Sequence, residues 1–118
     1  MNLNSEISQK IQDLQVLEQN MQSFLMQKQS MQVEMNESLN ALEELKKSSD
    51  EVYRILSGIM IKSDKKSIIS DLEEKKKVLE IRISTIEKQE RIIEDKISKL
   101  RSDITKSIEK DSKNNPVK

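Results

Sequence analysis

Apolar residues recur along this chain at alternating intervals of three and four, in two long runs. The first run carries one track of Ile7, Leu14, Met21, Lys28, Met35 and Leu42 and a second of Leu17, Phe24, Met31, Ser38 and Leu45. The second run has Leu72, Leu79, Ile86, Ile93, Leu100 and Ser107 on one track. Ile69, Lys76, Ile83, Glu90, Ile97 and Ile104 form the other. A three-four alternation held over so many turns is the seam of a coiled coil. It predicts one helix over residues 5–47 and another over 65–111, neither interrupted by Gly or Pro. Asn4 or Ser5 is placed to cap the first helix, and Asp64 or Ser63 the second. Ile11, Leu25 and Leu39 lie beside the first seam and are expected to widen its apolar stripe. A polar tail, 112–118, follows the second helix.

Between the two runs the period changes from 3.5 to two. Val52-Tyr53-Arg54-Ile55-Leu56 and Ile59-Met60-Ile61-Lys62 flank Ser57-Gly58, which predicts a hairpin over 52–62 with a two-residue turn. That turn pairs Leu56 with Ile59, Ile55 with Met60 and Arg54 with Ile61. Leu56, Ile59, Ile61 and Val52 then share one face, and Ile55, Met60 and Tyr53 the other. An isolated hairpin is marginal in water, and its free edges are templates for further strands. The hairpin either covers one face with the first turns of its own helices or joins hairpins of other subunits into a sheet or barrel. Only the second arrangement takes both apolar faces out of water, and it is preferred.

The two seams match if the chain folds back on itself. Antiparallel pairing sets Leu42 opposite Leu72, Met35 opposite Leu79, Met21 opposite Ile93 and Leu14 opposite Leu100. Polar exceptions fall in particular layers, Ser38 with Lys76 and Phe24 with Glu90 among them, and these layers are expected to set register at some cost in stability. The fold class is therefore mainly α: a long antiparallel two-helix coiled coil with a single β-hairpin at the bend, forming one domain over 1–118.

Composition narrows the function classes. With 36% charged and 2% aromatic residues, the 118-residue chain has the make-up of a coiled coil and not of a compact core. Its formal net charge of +0 and pI near 6.4 argue against a nucleic-acid partner, since phosphate neutralisation needs a basic surplus. Lys75-Lys76-Lys77 is a basic run, but Asp71, Glu73, Glu74 and Glu80 surround it. There is no Cys for thiolate or disulfide chemistry and no His to act as base or ligand. One Gly cannot build a phosphate-cradling loop. Adjacent carboxylates such as Glu43–Glu44 diverge by about 100° on a helix. No catalytic residue, metal or cofactor is expected, and no enzymatic activity. No apolar run is long enough to span a membrane and no leader is visible, so a cytoplasmic protein is expected.

Val52-Tyr53-Arg54, Gly58, Ile61-Lys62 and Asp64-Lys65 are followed by Leu72, Leu79-Glu80-Ile81-Arg82-Ile83 and Ile86-Glu87-Lys88-Gln89-Glu90. In this helix–hairpin–helix order the residues resemble the β-class subunit of prefoldin, the GimC chaperone, from about Ile11 to about Ile108. The connector between the helices holds one hairpin, where the α-class has two. The short ends resemble archaeal members. One departure is that Ser57 stands where members of the family often have the first Gly of the turn, which leaves the turn type open. The resemblance implies a hexamer of two α-class and four β-class subunits, whose hairpins form barrels and whose coiled coils project from them. It also implies unfolded client proteins held at the coil tips without nucleotide and passed to a group II chaperonin.

The tip residues of this chain are Leu3, Ile7, Ile11 and Leu14 from the first helix and Ile97, Leu100, Ile104 and Ile108 from the second. Ile7 faces Ser107, so the seam is not expected to close fully there, and frayed ends would present apolar surface to a client. The hairpin residues Val52, Tyr53, Ile55, Leu56, Gly58, Ile59, Met60 and Ile61 are the expected oligomerisation element. A structural coiled-coil adaptor is the alternative; it would need the seam but not an apolar hairpin.

Overall fold

A computed structural model describes residues 3–114, with side chains described for residues 4–110. The chain order is helix α1 (Leu3–Lys47), strand β1 (Val52–Leu56), strand β2 (Ile59–Ser63) and helix α2 (Lys65–Asn114). Both helices and the hairpin stand where the hydrophobic periods put them. α1 begins two residues earlier than expected, so Asn4 and Ser5 lie inside its first turn and do not cap it. α2 runs three residues past the expected end, because no Gly or Pro breaks it before Pro116. The tail expected over 112–118 is thus helical as far as Asn114, and 115–118 lie outside the described residues.

The helix ends that meet the hairpin are closed by polar contacts. At the end of α1, Ser48 N–H donates to the Glu44 carbonyl at 3.0 Å and Ser48 Oγ to the Leu45 carbonyl at 3.0 Å. Carbonyls that have no partner further along the helix are thereby satisfied. At the start of α2, Ile68 N–H donates to the Asp64 carbonyl at 3.1 Å, so Asp64 stands at the cap position. Lys65 Nζ reaches across to the Ser48 carbonyl at 2.9 Å and joins the two ends.

The fold comprises two compact units, Lys28–Thr85 and the pair of segments Met1–Gln27 and Ile86–Lys118. In Lys28–Thr85 the deepest residues are Leu79 (2% exposed), Ser38, Leu42 and, from β1, Val52. In the other unit they are Ile86 and Ile97. Every residue named on the four seam tracks is buried or half-buried. The widened stripe is not realised: Ile11, Leu25 and Leu39 remain 41%, 44% and 39% exposed. Two helices cover only the a/d seam between them, and residues flanking it need a third element, which the described residues do not supply.

Ser38, 3% exposed, is the one polar side chain among the buried residues described. It interrupts a track otherwise made of Leu, Met and Phe. Ser38→Ala removes a buried hydroxyl and raises helix propensity, with a net gain of about 1 kcal/mol expected. Thermal unfolding followed by circular dichroism should show a melting point several degrees higher; a fall would mean that the hydroxyl itself stabilises the layer.

The two strands pair antiparallel in the register set by the two-residue turn: Val52 with Ser63, Tyr53 with Lys62, Arg54 with Ile61, Ile55 with Met60 and Leu56 with Ile59. Ser57 and Gly58 have φ of 50° and 79°. Two positive φ values make the turn type I′, whose twist suits a hairpin. The turn type that the sequence left open is therefore settled, with serine in the left-handed region. Such a conformation costs an L-residue about 1 kcal/mol. Ser57→Gly should stabilise the hairpin by up to about that amount. A Cβ at Gly58 would meet nothing within 4 Å, so Gly58→Ala isolates the backbone term alone and should destabilise by about 1 kcal/mol. Amide exchange of the strand residues measures both; equal protection in the two variants would remove turn strain from the account.

Candidate functional site

Two surfaces were expected to carry function, one in each unit. In Lys28–Thr85 it is the hairpin. Cross-strand partners share a face, so Val52, Arg54 and Leu56 lie with Ser63, Ile61 and Ile59, while Tyr53 and Ile55 lie with Lys62 and Met60. The first face is tied down at one end only. Val52 is 8% exposed, and Arg54 Nη2 donates to Asp71 Oδ2 on α2 at 2.8 Å. Toward the turn the same face opens, with Ile61 at 45%, Leu56 at 52% and Ile59 at 64%. The second face is open throughout: Tyr53 is 52%, Ile55 68% and Met60 66% exposed. The hairpin's own helices therefore cover the Val52 end and little else.

Six large side chains on a ten-residue ribbon are more apolar surface than a soluble element ordinarily leaves in water. Each strand also has one unpaired edge, because the sheet contains β1 and β2 alone. Lys62 and Arg54 interrupt the apolar run, which discourages indiscriminate edge pairing. The arrangement is suited to joining a larger sheet through its edges while a partner covers its faces. It offers no enclosed cavity and no converging polar groups for chemistry. Among the described residues no cluster of acidic side chains could hold a metal, and no helix is long and apolar enough to cross a membrane.

The second surface lies in the unit formed by Met1–Gln27 and Ile86–Lys118. Here the start of α1 lies beside the end of α2, as the matched tracks require. Lys10 Nζ donates to Ser107 Oγ at 3.2 Å, and Arg101 Nη2 to Glu18 Oε1 at 3.2 Å. Sequence reasoning overlooked Lys10. It continues the second track of α1 one heptad outward of Leu17, and it reaches the serine that the register sets opposite Ile7. The outermost layers are therefore joined by a hydrogen bond as well as by the half-buried Ile7 and Ile104. Lysine on a track position was the available signal.

The expected tip residues separate by exposure. Ile97 is 8% exposed and completes the seam, so little of its surface stays open in the closed helix pair. Ile7, Leu14, Leu100 and Ile104 are half-buried. Ile11 and Ile108 are already open, at 41% and 52%. The side chain of Leu3 lies outside the described residues.

Comparison with known proteins agrees with this geometry. The sequence matches the family described as "Prefoldin subunit" over residues 8–111. It is 36% identical over 110 residues to the prefoldin subunit beta of Methanospirillum hungatei, covering 92% of each chain. It is 32% identical over 119 residues to that of Thermoplasma volcanium, covering 98% of this chain and 96% of the relative. The fold is similar to the crystal structure of the prefoldin beta subunit from Thermococcus strain KS-1. That match has a TM-score of 0.80 at 28% identity and covers 90% of this chain and 95% of the other.

Proposed function

Because this chain belongs to the prefoldin subunit family, we propose that it is the β-class subunit of an ATP-independent holdase. In this reading its hairpin assembles with an α-class partner and with further copies of itself, two α and four β, in the cytoplasm. Unfolded client proteins bind at the ends of its helix pair and are delivered to a group II chaperonin. No catalysis is involved. The observation that carries the reading is the hairpin, with apolar side chains on both faces and all six of the large apolar ones from Tyr53 through Ile61 45–68% exposed. An adaptor built on the seam alone has no use for such a surface.

The mechanism follows from weak contacts multiplied. Ile11 and Ile108 present apolar surface without any fraying, and Ile7, Leu14, Leu100 and Ile104 add to it when the end opens. The Lys10–Ser107 layer favours that opening, since a partly solvated hydrogen bond is worth about 1 kcal/mol at most, less than a well-packed apolar layer. One such patch holds a client briefly. Several arms on one assembly raise the effective concentration of the next patch and lengthen the hold. Preferential binding of the unfolded form keeps it from aggregating without consuming an energy source.

The test is to mix the chain with an α-class subunit, measure the assembled mass by light scattering, and follow aggregation of a chemically denatured protein with and without the mixture. A complex several times the mass of the chain that slows aggregation at near-stoichiometric amounts is expected. A chain that neither assembles nor delays aggregation overturns the proposal.

A further inference from the structure

The Glu18–Arg101 ion pair marks one flank of the unit formed by Met1–Gln27 and Ile86–Lys118. One heptad outward from these two residues stand Ile11 and Ile108, and one heptad inward Leu25 and Glu94. Residues seven apart keep the same side of a coiled coil, so all three pairs share this flank. From the chain ends inward it presents an apolar station, a clasped ion pair, and a second apolar station beside acid. The inner station is an open groove of about 350 Å³, with Met21 and Ile97 on its floor and Leu25 at its side. Leu25 is 44% exposed there. Glu18, Glu90 and Glu94 line the groove with Arg101; Glu18 is paired with Arg101 and Glu90 has a partner of its own, so the exposed Glu94 sets the sign of the rim. The groove is therefore apolar within and acidic at its rim.

We infer that this flank is a line of client contact that selects among unfolded segments. It favours those with two apolar side chains spaced to reach both stations and Lys or Arg beside the inner one. The inference rests on the client-binding reading proposed above and names the class of segment bound. The spacing follows from the helix: Ile11 and Leu25 are about 21 Å apart along α1. An extended chain spans that distance in about six residues. The sign follows from the rim, where a guanidinium or ammonium group is attracted and a carboxylate repelled. The attraction acts at a solvent-open surface, so it is moderate and screened by salt.

The experiment is an NMR titration of the full chain with three unstructured peptides of about fourteen residues, each with two leucines about six residues apart. They differ only beside one leucine, which is followed by Arg-Arg, Gln-Gln or Glu-Glu. The Arg peptide should bind roughly fivefold more tightly than the Glu peptide, with shifts at Ile11, Leu25 and Ile108, and the difference should shrink at about 0.5 M salt. Glu94 is exposed, so Glu94→Lys keeps the fold, and it should cancel or reverse the preference. Leu25→Ser should weaken all three peptides alike. Equal binding of the three overturns the inference, as does a preference that survives Glu94→Lys; either leaves the client-binding reading in place if the peptides still bind at the helix ends. If no peptide binds and the assembled chain also fails to delay aggregation, the client-binding reading falls and the inference with it.

Discussion

Ile55→Asp combined with Ile59→Asp is expected to abolish assembly with an α-class partner while leaving the free chain folded. The two residues lie on opposite faces of the hairpin and are 68% and 64% exposed. Aspartate at either position keeps its carboxylate in water in the free chain, so helical circular dichroism and melting should barely change. In an assembled sheet or barrel the same carboxylates would be buried without partners. Each would cost several kcal/mol, or shift its proton equilibrium to avoid the cost. At about 1.4 kcal/mol per tenfold, the pair should weaken association at least a hundredfold. Light scattering of the mixed subunits should fall from the mass of a complex to that of the separate chains. A complex of unchanged mass would mean that the hairpin faces do not form the interface.

Removing the residues before Leu14 and after Leu100 is expected to leave assembly intact and to abolish most suppression of client aggregation. The truncation deletes Ile7, Ile11, Ile104 and Ile108 with the Lys10–Ser107 layer, and spares the hairpin, the Arg54–Asp71 ion pair and the buried Leu42 and Leu79. Each arm would lose contacts equivalent to one or two apolar side chains, about 2 kcal/mol. Because several arms act on one client, the loss multiplies, and a decrease of tenfold or more in suppression is reasonable at this scale. Ile11→Asp with Ile108→Asp is the gentler version, since both side chains are open and neither closes the seam. The readout is the initial rate of light scattering by a denatured protein diluted into buffer. Suppression undiminished in both variants would place client binding elsewhere on the assembly.

Much of the fold was legible because its elements are long and strictly periodic. The seam tracks match the buried and half-buried positions from Ile7 through Ser107, including polar members such as Ser38 and Lys76. Hairpin register followed from the length of the turn, since a two-residue loop leaves no freedom in which residues pair. What escaped were contacts that depend on the rotation of one helix against another. Arg54 with Asp71, Glu18 with Arg101 and Lys10 with Ser107 join residues 17 to 97 positions apart. The i,i+4 spacing that organises charge within a helix cannot select them. The exposure of Ile11, Leu25 and Leu39 escaped for a related reason. An apolar residue beside a seam is buried or open according to what packs there, and one chain's pattern is silent on that.

The sequence by itself determined the two helices, the hairpin with its pairing, and the side of each helix that forms the seam. Period is a property of one element's own backbone geometry and is written residue by residue along it. The tertiary structure alone decided how the expected tip and hairpin residues divide between seam and surface: Ile97 and Val52 closed in, Ile11, Ile108, Ile55 and Met60 left open. It also placed Leu25 beside Glu94 in one groove. Exposure and adjacency are set by how far two elements rotate and slide against each other, and that balance is struck among many contacts distant in sequence.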